Sequence, residues 1–227
     1  MNIIELKEHL TRKNISFSEE QITKLVEYMN YILKTNESIN LTAITDVDSF
    51  IDKMIYDSAL PLTMLDFTDK KVVDVGTGAG FPGTVIKTLT NCDMTLLDST
   101  RKKLDVIGDF YKDINLVNDR VENFALSNRE SYDIAIARAV APLNVLLELI
   151  IPIIKVNGYF IAMKSLNYEN EINDSLDALK KLNCHIVEIK EETLQCGEDR
   201  FNILIQKDAP TNKKYPRNFA DIKNKPL

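Results

Sequence analysis

The chain has 227 residues, of which 44% are hydrophobic and 27% charged, and a formal net charge of −6. That length suits one full domain with an extension and is too short for two ordinary domains, and the balance is that of a soluble globular protein with a real core. The most apolar stretch, 145–156, is too short to span a bilayer and is interrupted by Glu148, Pro152 and Lys155, and the negative charge taken alone argues against a nucleic-acid partner.

From the amino terminus onward, Met1 to Glu8 carries acids and no long apolar run, which does not fit a signal peptide, so a cytoplasmic location is expected. The first part reads as helical. Ser18 and Gln21 fit a capping box, with Phe17 and Ile22 placed as a hydrophobic staple. Ile22, Leu25, Val26, Met29 and Leu33 then fall on one helical face. After a polar break at Thr35 to Ser38, a second helix is expected from about Asp46 to Leu60, with Phe50, Ile51, Met54 and Ile55 inward and Pro61 helping to end it.

From residue 67 the pattern changes to alternating strands and helices. Strands are expected at 71–75, 93–98, 114–118, 132–137 and 158–163, with helices between them such as 101–111 and 143–154. This alternation predicts a mostly parallel sheet with helices on both faces. The segments 186–189 and 201–206 read as two strands without an intervening helix, hence an antiparallel pair closing the sheet. The chain thus divides into a helical extension (1–66), an α/β domain (67–210) and a tail (211–227). From Lys213 to Leu227 the tail carries five bases and one acid, so the other 212 residues carry −10. A basic tail on an acidic body is compatible with RNA contact and equally with a solvated polar terminus. Cys92, Cys184 and Cys196 are expected as buried thiols of a reducing compartment, and His9 and His185 lie far apart, so no metal is assigned.

Four of the seven glycines, Gly76, Gly78, Gly80 and Gly83, fall within eight residues directly after a buried strand. Such clustering serves close approach of backbone to a ligand, at the sheet edge where open α/β folds bind. A P-loop reading fails because the loop ends Gly80-Phe81-Pro82-Gly83 and not Gly-Lys-Ser/Thr. A dinucleotide reading finds its GxGxxG two residues late, with Pro82 where a pyrophosphate needs amide N–H groups. The remaining reading is the strand–GxGxG loop of S-adenosylmethionine enzymes, Asp74-Val75-Gly76-Thr77-Gly78-Ala79-Gly80. Asp74 suits a cationic ligand region, and Asp98 at the end of the next strand is placed to accept from ribose hydroxyls, as it would be in a dehydrogenase. A methyltransferase leads over a dinucleotide enzyme and over a binding domain without catalysis.

After the fourth strand the chain runs Arg138-Ala139-Val140-Ala141-Pro142, without the Asp/Asn-Pro-Pro-aromatic segment of amine methylation, and no cysteine is followed or preceded by proline as cytosine C5 chemistry requires. An acceptor that already carries a lone pair, such as guanine N7, needs neither device and no general base.

The sequence here resembles the RsmG (GidB) family of bacterial 16S ribosomal RNA guanine-N7 methyltransferases. The resemblance spans the chain through Asn40-Leu41-Thr42, Asp57-Ser58, Asp74 to Gly83, Leu96-Leu97-Asp98-Ser99, Arg138-Ala139 and Tyr215-Pro216-Arg217. It implies a class I methyltransferase, Rossmann-like fold with an N-terminal helical extension, S-adenosyl-L-methionine as cofactor, and 16S rRNA or a small-subunit particle as partner, with no membrane, no metal and a monomeric chain. By position it implies cofactor contacts at Gly76, Phe81, Val121, Glu122 and Arg138, with Asp98 as the ribose acid and Asp74 and Gly78 in the loop. The chain departs from the family at Tyr56, where a histidine is usual, at Ser165, where Lys-Gly is usual, and at 217–221, which lacks a glycine.

Each assignment has a structural alternative. Arg138 could pair with an acid such as Asp74, Glu122 could serve a helix dipole, Phe81 could be core, and Asn40 a turn residue. Asn40, Arg138 and Lys164 are the candidates for positioning the substrate. Arg101, Lys164 and Arg217 are the candidates for RNA phosphate, each of which could equally be a solvated base. A small-molecule methyltransferase with the same cofactor pocket is the alternative function.

Overall fold

The computed structural model describes residues 1–227. Helix α1 (Ile3–Arg12) begins at a capping box of Asn2 and Glu5, which the sequence reading had not singled out. Helix α2 (Glu19–Asn36) begins at the expected box: Gln21 N donates to Ser18 Oγ at 3.1 Å and Ser18 N to Gln21 Oε1 at 2.7 Å. Its buried face is Ile22, Leu25, Tyr28, Met29 and Ile32, while Val26 and Leu33 are only half-buried. The stripe turns toward Tyr28 because that ring packs at tilted and edge-on angles against Phe81, Phe110 and Tyr111.

The expected helix at 46–60 is a composite. Asp46 caps α3 (Val47–Phe50), a π segment covers Ile51–Tyr56, α4 takes Asp57–Ala59, and a 3-10 turn follows at Leu60–Thr63. Pro61 does not stop it. It occupies the first turn of the 3-10 segment, where the missing N–H has no partner to lose.

The α/β part then runs β1 (Lys71–Val75), α5 (Gly83–Leu89), β2 (Asp93–Asp98), α6 (Arg101–Phe110), β3 (Asn115–Asn118), α7 (Val121–Ser127), β4 (Tyr132–Arg138), α8 (Leu143–Ile150), β5 (Ile154–Lys164), α9 (Tyr168–Asn173), α10 (Leu176–Lys181), β6 (Cys184–Thr193), β7 (Asp199–Lys207) and α11 (Phe219–Asn224). The seven strands order as β3-β2-β1-β4-β5-β7-β6. All neighbours pair in parallel except β7, which is antiparallel to both β5 and β6. The helix expected at 143–154 gives way to a 3-10 turn at Ile151–Ile153 around Pro152, and β5 starts at Ile154, four residues earlier than its sequence pattern suggests.

Strand alternation feeds two cores. Val72, Leu96, Ile134 and Ile136 face one side and join α2, Phe50 and Tyr56 of the extension in one apolar cluster. Val73, Val75, Ala135 and Ala137 face the other, against α7, α8 and α10. The tail docks on this second face through the buried Tyr215 and Ile222, so of the two readings its charge left open, a wholly solvated terminus does not hold. Cys92 and Cys184 are buried as expected, whereas Cys196 is exposed. No helix is long and apolar enough to cross a membrane.

Candidate functional site

Beyond β1 the chain turns outward to β2 and β3, and beyond β4 it turns the other way to β5. The crevice between the carboxyl ends of β1 and β4 is therefore the topological switch point where such sheets bind ligands. The glycine loop leaves β1 on one side of it, and Arg138 to Pro142 leave β4 on the other.

The loop is held from within. Gly76 N and Thr77 N both donate to Leu97 O, at 2.8 and 3.1 Å. Asp74 Oδ2 accepts from the Thr77 hydroxyl at 2.6 Å and from Gly83 N at 2.9 Å, so one carboxylate ties both ends. From the extension, the Tyr28 hydroxyl donates to Ala79 O at 2.8 Å. Gly83 has no alternative: a Cβ there would lie 2.2 Å from Leu96 Cδ2. Two of the residues expected at the cofactor have side chains that serve the packing of the loop. Asp74 is wholly buried and shapes the loop without lining a cavity, and burial pushes its carboxyl up to about 6 against the two hydrogen bonds it accepts. The Phe81 side chain points into the core, with its ring centroid 5.4 Å from Phe50 and 5.6 Å from Tyr28.

A cavity of about 180 Å³ opens beside the loop, lined by Gly76, Asp98, Val121, Glu122, Val140 and Phe219 among others. Asp98 accepts from Gly78 N through Oδ2 at 2.9 Å and from Thr100 N through Oδ1 at 2.8 Å, which leaves each oxygen a further lone pair. Glu122 accepts from Arg120 Nε at 2.5 Å through Oε1, while its Oε2 is buried without any partner. A buried acceptor without a donor is costly unless a ligand supplies one. Gly78 holds Asp98 through its amide, and a Cβ there would meet open space. Four sequence-named residues, Gly76, Asp98, Val121 and Glu122, thus meet at one cavity. Phe219 adds a wall that sequence reasoning missed, placed by the docked tail and covered by the Arg120 guanidinium.

A larger cleft of about 720 Å³ adjoins it, sharing Val140 and Ala141. Arg138, Lys164 and Ser165 line it, and so do Met54, Asp57 and Arg200. Arg138 pairs with an acid, but with Asp57 at 3.1 Å and not with Asp74, and it also donates to Lys53 O and Ser58 Oγ. Arg200 meets the same Asp57 oxygen at 3.3 Å, and Asp57 Oδ1 is buried without a partner. Lys164 Nζ donates to Ala141 O at 2.8 Å and to Glu171 Oε2 at 2.7 Å, and so braces the segment entering α8. No local periodicity marks Arg200 or Lys53; they reach the cleft through contacts across more than 80 residues of sequence.

The remaining candidates lie elsewhere. Asn40 is exposed and lines neither cavity; its neighbour Asn36 organises that turn by accepting from Leu41 N and Thr42 N. Arg217 is bonded to the fully buried Glu148 and is not a free cation. Arg101 is exposed and pairs only with Asp105 one turn on. Tyr56 is buried against His9 and donates to Glu192, so that departure from the family pattern falls in the extension's packing.

A seven-stranded sheet with β7 reversed, a glycine loop at its switch point, an acid ending β2 and an unsatisfied acid at the start of α7 define the class: this is a protein of the class I methyltransferase architecture. Solved structures share that fold, including a ribosomal protein L11 methylase from Lactobacillus delbrueckii subsp. bulgaricus (TM-score 0.54, 16% identity, 69% of this chain and 79% of that one). The cyclase SpnF shares it too (TM-score 0.51, 12% identity, 66% and 77%), so fold alone does not fix the reaction. A family model described as rRNA small subunit methyltransferase G matches residues 21–199. Curated relatives named ribosomal RNA small subunit methyltransferase G are 37% identical in Halalkalibacterium halodurans, over all of both chains, and 39% identical in Fusobacterium nucleatum subsp. nucleatum, over 97% of this chain and 98% of that one. The chain belongs to the rRNA small subunit methyltransferase G family.

Proposed function

We propose that the protein binds S-adenosyl-L-methionine in the smaller cavity and methylates N7 of one guanine of 16S ribosomal RNA held in the larger cleft. The observation that carries this reading is the juncture: two cavities of different character meet at Val140 and Ala141. The residues of the smaller one fit a nucleoside. Asp98 has lone pairs to spare for ribose hydroxyls, and the orphaned Glu122 Oε2 asks for an N–H donor such as an exocyclic amine.

S-adenosyl-L-methionine, held by Asp98 and Glu122, would supply an electrophilic methyl to the lone pair of guanine N7, the C–S electron pair staying with sulfur. N7 carries no proton, so the chain needs no general base, and none of the cleft's groups is required to move one. What remains for the protein is positioning. Arg138 and Arg200 fix the far wall through Asp57, and Lys164 fixes the entry to α8. Along the cleft the bases Lys53, Arg138, Lys164 and Arg200 outnumber the acids Asp57, Glu171 and Glu198 by one, a balance that suits an RNA carrying phosphate. The substrate as free RNA or as a small-subunit particle, and a monomeric enzyme, complete the reading.

Deleting the gene is expected to remove 7-methylguanosine from digested 16S rRNA, measured by nucleoside mass spectrometry, and restoring it to return the nucleoside. Unchanged levels overturn the guanine-N7 reading. Turnover of a small molecule at a rate indifferent to salt, without RNA, would replace it with the alternative, since phosphate contacts make RNA binding weaken steeply with salt.

A further inference from the structure

Val140 packs on the glycine loop at the wall of the smaller cavity. Glycine at 76 leaves a gap on its pocket side, yet that gap is filled by the chain itself. A Cβ placed on Gly76 would lie 2.6 Å from Val140 Cγ2, 3.3 Å from its Cγ1 and 3.6 Å from its Cβ. The isopropyl group therefore packs on the backbone that the cofactor is proposed to touch. The cavity left beside it, about 180 Å³, is below the roughly 300 Å³ at which small-molecule sites begin.

The segment that carries Val140 is anchored on both sides. Upstream, Arg138 is locked to Asp57 and Ser58. Downstream, Lys164 holds Ala141 O, and Glu171 accepts from Leu143 N at 2.7 Å. Between these anchors Ala139 adopts φ +55°, a left-handed conformation disfavoured for any residue with a Cβ. Val140 itself is 40% exposed, so its side chain borders solvent and is not locked inside either core. Val140 lines both cavities, together with its neighbour Ala141, and Gly76 lines only the smaller.

We infer that Val140 is a movable divider between the two cavities: closed on Gly76 in the free chain, it must swing off for the cofactor to bind, which makes it a positioning residue for the transfer. The inference rests on the proposed cofactor pocket. It gives the exposed valine and the left-handed Ala139 a common purpose, because a divider needs a closed state that a ligand can outcompete.

The test is binding of S-adenosylhomocysteine to the full-length protein without RNA, by calorimetry for affinity and surface plasmon resonance for rates. If the open form is about a tenth of the free population, Val140→Ala should bind about tenfold tighter and associate correspondingly faster, because less of the binding free energy goes into opening. Val140→Thr keeps the branched shape and should return both quantities to wild-type values, with thermal unfolding verifying that each variant folds. Affinity and association rate of Val140→Ala within twofold of wild type would overturn the divider while leaving the cofactor pocket standing. Weaker binding by Val140→Ala would also overturn it, making Val140 a simple contact of the bound ligand. Absence of any binding by the wild-type chain would overturn the cofactor reading and this inference with it.

Discussion

Arg217 grips the carboxylate of Glu148 through two parallel bonds, Nε to Oε1 at 2.8 Å and Nη2 to Oε2 at 2.6 Å, and adds its own amide to Oε1 at 3.0 Å. Glu148 is fully buried on α8, among apolar residues of the second core. Removing Arg217 strands that charge, so Arg217→Ala should destabilise the fold by about 3–5 kcal/mol, a fall in Tm of roughly 10 °C. The salt dependence of RNA affinity should stay as it is. A variant of wild-type Tm whose salt slope drops by about one would make Arg217 a phosphate contact.

Arg101 is the converse case. Its side chain is 75% exposed, and its partner Asp105 is a surface acid one helical turn away. Such pairs contribute about 0.3–0.5 kcal/mol, so Arg101→Ala should leave Tm unchanged. If its charge meets phosphate, the slope of log affinity against log salt should become shallower by about 0.7–0.9. An unchanged slope assigns it to solvent.

Asp98→Ala removes the acceptor proposed for ribose and frees Gly78 N and Thr100 N, both of which it now holds. S-adenosylhomocysteine should bind more weakly by about 1–3 kcal/mol in calorimetry. Wild-type affinity would refute the placement.

What the sequence could reveal follows the range of each interaction. Strands β1 and β2 were legible to the residue, because the valines of β1, the short apolar run of β2 and the turns that follow them are local signals. The meeting of Gly76, Asp98, Val121 and Glu122 was legible from motif order and family resemblance. The composite helix 47–63 was not, since a π segment keeps the apolar spacing of an α-helix approximately while changing its hydrogen bonds. Nor was the choice of Asp57 over Asp74 as partner of Arg138: both acids were visible, and only the packing of the extension on the sheet decides which one reaches the guanidinium. Arg217 and Lys164 looked like surface bases because their partners, Glu148 and Glu171, could be identified only once the helices were docked.

Asp74 makes a pH prediction whose sign is set by its environment. Its ordinary value is 3.8, and burial raises it to about 6. Between those values the native state holds a proton that the unfolded chain has released, so stability falls as pH rises. The favourable contribution is complete below about 3.8 and lost as pH passes through about 6. Asp74→Asn keeps an oxygen to accept from Thr77 Oγ1 and Gly83 N, puts an amide where the unpartnered Oδ1 now lies, and cannot ionise. The variant should therefore gain on wild type as pH increases from 4 to 7, by roughly 2 kcal/mol across the interval for a shift of about two units. Thermal or denaturant unfolding of both proteins at several pH values measures the difference. If the gap between them is flat, Asp74 is ionised throughout and its hydrogen bonds outweigh its burial; if it narrows with pH, the carboxylate stabilises the glycine loop and the assigned direction is reversed.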